Sequence, residues 1–312
     1  MLELILLILG IAGLVLGAHL IIRGSLEIAQ HYKISQVFIG LTILAIGTDL
    51  PELVVNITGA VHRLGGTETS GLILGQAVGS CMGQIALTLG AIGLFCYLTL
   101  SRRRAIRDCS MMIVSVIMLI LVGLDGVITR FDAALFLVIY IVYFAFLQRE
   151  EKVFEKFKRA PSMDLIWSMI SIVAGFGVLI YCSNLVVESG VSLAEAWGVQ
   201  QSLIGAVLIG LGTSLPEIIV SLSAIIKKAP MLSVGNLIGS NIFDVLFTLG
   251  IGAAISEFVV DSNLLRFDLP YLLITSFVVM MFFLRKRGIQ KREAIALIGI
   301  YALFIVLKFI GL

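Results

Sequence analysis

Ten stretches of the chain stay apolar over the length of a bilayer crossing, at residues 2–22, 36–60, 71–99, 109–129, 133–148, 164–187, 199–226, 232–256, 267–284 and 292–311. Short polar connections separate them, the longest being QREEKVFEKFKRAPSMD at 148–164. A bilayer core admits only structures that satisfy their own backbone, helices or closed barrels, and runs of this length favour helices. The pattern predicts an all-α polytopic membrane protein with ten transmembrane helices and no separate soluble domain.

Charge then orients the chain. The loops after the odd-numbered runs hold 18 of the 22 Lys and Arg residues; only Arg63, Arg130, Arg266 and Lys308 fall on the other side. Positive charge collects in cytoplasmic loops, so both termini are expected outside. Composition agrees: 59% of residues are hydrophobic, 13% are charged, and the mean hydropathy is +1.10. The N-terminus carries Glu3 and no basic leader region, and reads as a retained first span. Cys81, Cys96, Cys109 and Cys182 lack CxxC spacing and read as small buried hydrophobes. His19, His31 and His62 are too scattered for a transition-metal cluster. The lipid bilayer is an expected partner, with no nucleic acid, no cofactor and a functional monomer.

The chain also repeats itself. GLTILAIGTDLPELVVNITGA at 40–60 matches GAVLIGLGTSLPEIIVSLSAI at 205–225, and GQAVGSCMGQIALTLG at 75–90 matches GNLIGSNIFDVLFTLG at 235–250. The offsets are 165 and 160, so the slip falls in the loop between the motifs. Residues 1–150 and 164–312 are thus two copies joined by a cytoplasmic linker at 151–163. Each copy has an odd number of spans, five, so the second enters the membrane inverted. Inverted repeats with broken helices place a binding site near the midplane of secondary transporters.

The motif residues are rich in oxygen. Pro51 and Pro216 deprive the carbonyls of Gly47 and Gly212 of their helical partners. Thr48 and Glu52, Thr213 and Glu217, Ser80 and Gln84, and Ser240 and Asp244 are each four residues apart. Gly75, Gly79, Gly235 and Gly239 allow close helix approach. The expected pocket holds the carboxylates of Asp49, Glu52, Glu217 and Asp244, the hydroxyls of Thr48, Thr213, Ser214, Ser80 and Ser240, and the Gln84 amide. Oxygen-only ligation suits a hard cation such as Ca²⁺ or Na⁺. Each ionised acid at bilayer centre costs about 2.5–3.5 kcal/mol, so four cost on the order of 10–14 kcal/mol. No Lys or Arg lies in the four motifs to offset this, so bound cations or protons must. The plainer alternative is protonated acids bridging helices. Gln84 and Asn56 serve equally as interhelical hydrogen-bonding groups, and His19 and Asn184 read as structural polar contacts.

On these four motifs the sequence resembles the calcium/cation antiporter superfamily, most closely its prokaryotic sodium/calcium exchangers. The motifs G-T-D-L-P-E with G-Q-A-V-G-S-C-M-G-Q, and G-T-S-L-P-E with G-N-L-I-G-S-N-I-F-D, carry the likeness. The resemblance implies Ca²⁺ exchange against Na⁺ by alternating access, with the first and sixth spans sliding across the ion-binding core. It makes Glu52 and Glu217 the central Ca²⁺ ligands, joined by Thr48, Thr213, Ser214, Ser80 and Ser240. Asp244 falls where sodium-coupled members carry an acid. Two positions depart: Asp49 stands where serine is usual, and Gln84 where asparagine or aspartate is usual. The first adds a carboxylate and the second a longer amide. An H⁺-coupled or K⁺-linked antiporter is the nearest alternative, and a cation channel the alternative from another class. The G-x-G-D and H-E-x-x-H motifs of intramembrane proteases are absent, and no enzyme is expected.

Overall fold

A computed structural model describes residues 2–66, 68–153, 163–196, 214–285 and 288–309. Helices α1 (Leu2–Tyr32), α2 (Gln36–Thr48), α3 (Leu50–Leu64), α4 (Ser70–Phe95), α5 (Arg102–Gly123) and α6 (Arg130–Glu150) are followed by α7 (Met163–Ala196), α8 (Leu215–Ile226), α9 (Pro230–Ile255), α10 (Leu264–Leu284) and α11 (Lys291–Phe309). Among the described residues, seven helices are long and apolar enough to cross a membrane; α2 and α3, broken at Asp49, make an eighth if taken as one. The remaining expected runs fall short of that measure. The run at 199–226 is described only from Ser214, as the 12-residue α8. Helix α11 has 19 residues and begins Lys-Arg-Glu.

One boundary moves for a clear local reason. Helix α5 starts at Arg102 rather than at 109, because the Ser101 hydroxyl accepts from the Arg104 backbone N–H and caps a turn of arginines. Large apolar side chains on the outer helix faces, including Phe131, Val173 and Tyr181, are exposed, as a lipid-facing surface requires.

The chain divides into two compact units, each drawing on both halves of the sequence. One contains Met1–Thr48 and Leu147–Asn236. In it α1 and α7 lie antiparallel: Gly10 faces Val186, Gly17 faces Gly175, and Gly24 faces Ile172. Glycines seven residues apart on α1 let the backbones approach where lipid provides no hydrophobic driving force. A close backbone approach in this unit joins α2 to α9. A Cβ on Gly40 would lie 2.7 Å from the Asn236 nitrogen and 2.8 Å from the Gly235 Cα. Of the glycines expected to allow close approach, Gly235 meets Gly40, whereas a Cβ on Gly75 or Gly79 would have nothing within 4 Å.

The other unit contains Asp49–Phe146 and Leu237–Leu312. Two short backbone pairings tie its loops. Strands β1 (Val127–Ile128) and β2 (Phe258–Val259) are antiparallel, with Ile128 opposite Phe258. Leu98 and Ile289 exchange backbone hydrogen bonds of 3.1 and 3.0 Å. Inside, Tyr140 packs edge-on against Phe243 at 5.6 Å between ring centroids, and Phe243 stacks on Phe247 at 4.8 Å. Two buried acids have protein cations of their own. Asp108 binds Arg107 at 2.6 and 2.9 Å and accepts from the Tyr143 hydroxyl at 3.0 Å. Asp268 pairs with Lys308 at 2.8 Å. All four cysteines are free, and Cys81, Cys109 and Cys182 are buried.

The Gly40 contact gives a direct test. Gly40→Ala must push α2 from α9 and should lower stability by about 1–3 kcal/mol, the usual overpacking cost. Gly299→Ala, on an exposed face of α11 with nothing within 4 Å, should be neutral or gain up to about 1 kcal/mol. Thermal unfolding of the two purified variants in detergent checks both.

Candidate cation site

Two helices begin in the same way. Asp49 precedes α3 with φ −82° and ψ 6°, and Ser214 precedes α8 with φ −87° and ψ 4°. Both conformations lie in the bridge region. A proline follows two residues later in each, Pro51 and Pro216, in the first turn where its missing N–H costs least. The next residue is the glutamate, Glu52 or Glu217, also in the first turn. Unpaired N–H groups and the helix dipole favour negative charge there. The break at Asp49 interrupts the continuous helical register that the four-residue spacing of Thr48 and Glu52 assumes.

Burial is complete where the sequence places acids. Asp49, Glu217 and Asp244 are 0% exposed and Glu52 is 2% exposed. In the first unit, Thr48 donates to the Leu44 carbonyl at 3.0 Å and meets the Asn236 side chain at 3.4 Å. Its hydroxyl oxygen keeps acceptor capacity. Ser214 and Glu217 belong to the same unit and are buried. The Gly47 backbone runs against the Phe176 ring, which occupies the space a Cβ would need. Thr213 and Gly212 lie outside the described residues.

The second unit gathers the rest. Carboxylate oxygens of Asp49 and Glu52 lie within 4.8 Å of each other. The Gln84 nitrogen donates to the Ser80 hydroxyl at 3.1 Å, and the Asn241 nitrogen donates to the Gln84 carbonyl at 2.7 Å. Ser80 and Gln84 lie near the Asp244 carboxylate, whose oxygens have no hydrogen-bond partner among the described residues. Asp244 has no ion pair among the described residues, unlike Asp108 and Asp268. The Ser240 hydroxyl is buried and without a hydrogen-bond partner among them. Asn56 is buried over Gly252, and its oxygen likewise has no such partner.

Much of this region winds as π-helix, a geometry often found at functional sites. Gly40–Leu44, Gly83–Thr88 and Asp244–Thr248 are such turns, so Gln84 and Asp244 both stand on widened helix.

Four neighbours were not singled out by sequence. Asn236 and Asn241 are inside the second motif pair and are polar residues in an apolar run, a signal that was available. Tyr140, packed on Phe243, and Phe176, against Gly47, lie outside the motifs and gave none.

The chain matches the family described as "Sodium/calcium exchanger protein" over residues 2–148 and 167–310. It is 32% identical over 267 residues to the putative antiporter CaxA of Alkalimonas amylolytica, covering 83% of this chain and 82% of that one. It is 25% identical to the sodium/calcium exchanger MaX1 of Methanosarcina acetivorans, over 98% of each chain. Solved structures of the sodium-calcium exchanger NCX_Mj superimpose with a TM-score of 0.86 and 25% identity over 98% of both chains. The chain is a membrane-embedded antiporter of the sodium/calcium exchanger family.

Proposed function

We propose that this protein exchanges Ca²⁺ for Na⁺ by alternating access. The carrying observation is the set of fully buried acids at two proline-marked helix starts and on α9, in a chain that matches an exchanger family throughout. Glu52 and Glu217 are the central Ca²⁺ ligands in this reading. Asp244, Asp49, Thr48, Thr213, Ser214, Ser80 and Ser240 complete the oxygen cage for Ca²⁺ and Na⁺, the Gly47 and Gly212 carbonyls contribute, and Gln84 lies at its edge. Carboxylates with neutral oxygens suit a hard ion that sheds water, and the ion in turn offsets the charge of the acids.

Ten spans in two inverted repeats, with both termini outside, complete the proposal. The loop pairings support the inversion. The offset of 160 carries Leu98 onto Phe258 and Ile128 onto Gly288, beside Ile289. Each repeat thus pairs the loop after its third span with the loop after the other repeat's fourth. It also carries Asp108 onto Asp268 and the π-helical turn at Thr88 onto that at Thr248.

Ca²⁺ uptake into proteoliposomes loaded with Na⁺ should be rapid, and an outward proton gradient alone should drive none. Uptake driven only by protons would move the protein to the H⁺-coupled alternative, and Ca²⁺ flux without any counter-ion to a channel. Glu52→Gln and Glu217→Gln should each reduce Na⁺-driven uptake to background, since each removes a central charge. Asp49→Ser should flatten the pH dependence of exchange or change its ion coupling, because it removes a carboxylate that either recruits a cation or titrates. Unchanged pH and ion profiles in that variant would contradict the role given to Asp49.

A further inference from the structure

The amides of Gln84 and Asn241 have one mutually consistent orientation. The Leu237 backbone carbonyl can only accept, so the Asn241 nitrogen faces it, at 3.0 Å. The same nitrogen points its second hydrogen at Gln84, 2.7 Å away, and the facing atom of Gln84 is therefore its oxygen. The Gln84 nitrogen then turns to Ser80 at 3.1 Å. Ser80 and Gln84 lie near the Asp244 carboxylate. The row of donors ends on the Ser80 hydroxyl, and the single side-chain oxygen of Gln84 is held by Asn241.

Resting on the exchange reading above, we infer that Gln84 is not a cation ligand but a positioning residue that Asn241 locks with its nitrogen towards Ser80 and Asp244. Hard cations are bound by oxygen, and an amide N–H beside Asp244 repels one. The neutral donor stands where a ligand oxygen would be needed, and weakens cation binding at that corner. Among the described residues the lock occurs once. The offset of 160 places Cys81 opposite Asn241 and Gln84 opposite Asp244, so the other repeat supplies neither the amide donor nor its acceptor.

Equilibrium binding of radiolabelled Na⁺ to the purified full chain separates the two roles by sign. Gln84→Ala removes the obstructing donor, and Asn241→Ala frees the Gln84 oxygen to turn. Both variants should bind Na⁺ about three- to tenfold more tightly than the parent, the size of one net hydrogen bond. Loosened packing lowers affinity, so tightening is not what a merely structural role produces. Weaker or unchanged binding in Gln84→Ala, or no Na⁺ binding by the parent, overturns the inference. If Gln84→Ala does not fold, Asn241→Ala decides alone, and unchanged or weaker binding there overturns it. Tighter binding in variants of a protein that shows no Ca²⁺ exchange leaves this inference standing and overturns the exchange reading instead.

Discussion

An ionised carboxylate inside a bilayer must be compensated, and the structure shows this constraint met by protein cations at two acids. Asp108 and Asp268 are buried beside Arg107 and Lys308, so the protein supplies their counter-charge permanently. Asp244, equally buried, has no such ion pair among the described residues, and no Lys or Arg lies within the four motif segments that hold it with Asp49, Glu52 and Glu217. Permanent pairing makes an acid structural. Acids without it in the sequence around them are the ones a mobile cation can serve.

Backbone chemistry prepares the same places. A helix start is rich in unsatisfied N–H groups, and a proline in its first turn fixes that start without losing a needed donor. Placing Glu52 and Glu217 in those first turns gives each a favourable electrostatic setting before any ion arrives. The π-helical turns at Gly83–Thr88 and Asp244–Thr248 widen the helices that carry Gln84 and Asp244. The break at Asp49 and the close packing of Gly40 belong to the same motif, and the packing depends on glycine.

Membrane character, the helix runs, the duplication and the acidic residues were legible because each leaves a long-range or repeated signal. Apolar length marks a span, and the recurring G-T-x-L-P-E marks a helix start twice. Contacts that depend on side-chain reach across helices left weaker traces. Asn241 was visible as a polar residue in an apolar run, but nothing in the sequence says that its nitrogen meets Gln84 rather than an ion. Tyr140 on Phe243 and Phe176 on Gly47 are ordinary aromatic residues in apolar helices, without a spacing that distinguishes them from lipid-facing or core positions. The earlier start of α5 was missed because three arginines in a row read as a loop, whereas Ser101 caps them into a helix.

The central claim is that the motif acids bind a divalent cation. Anomalous diffraction from crystals soaked in Sr²⁺ tests it without reference to transport. The account predicts a peak beside Glu52 and Glu217, with ligand oxygens at about the distances of Ca²⁺ coordination, 2.3–2.6 Å, or slightly longer. Density confined to the loop pocket lined by Arg63, Glu68 and Glu257, with none at the two glutamates, would contradict it.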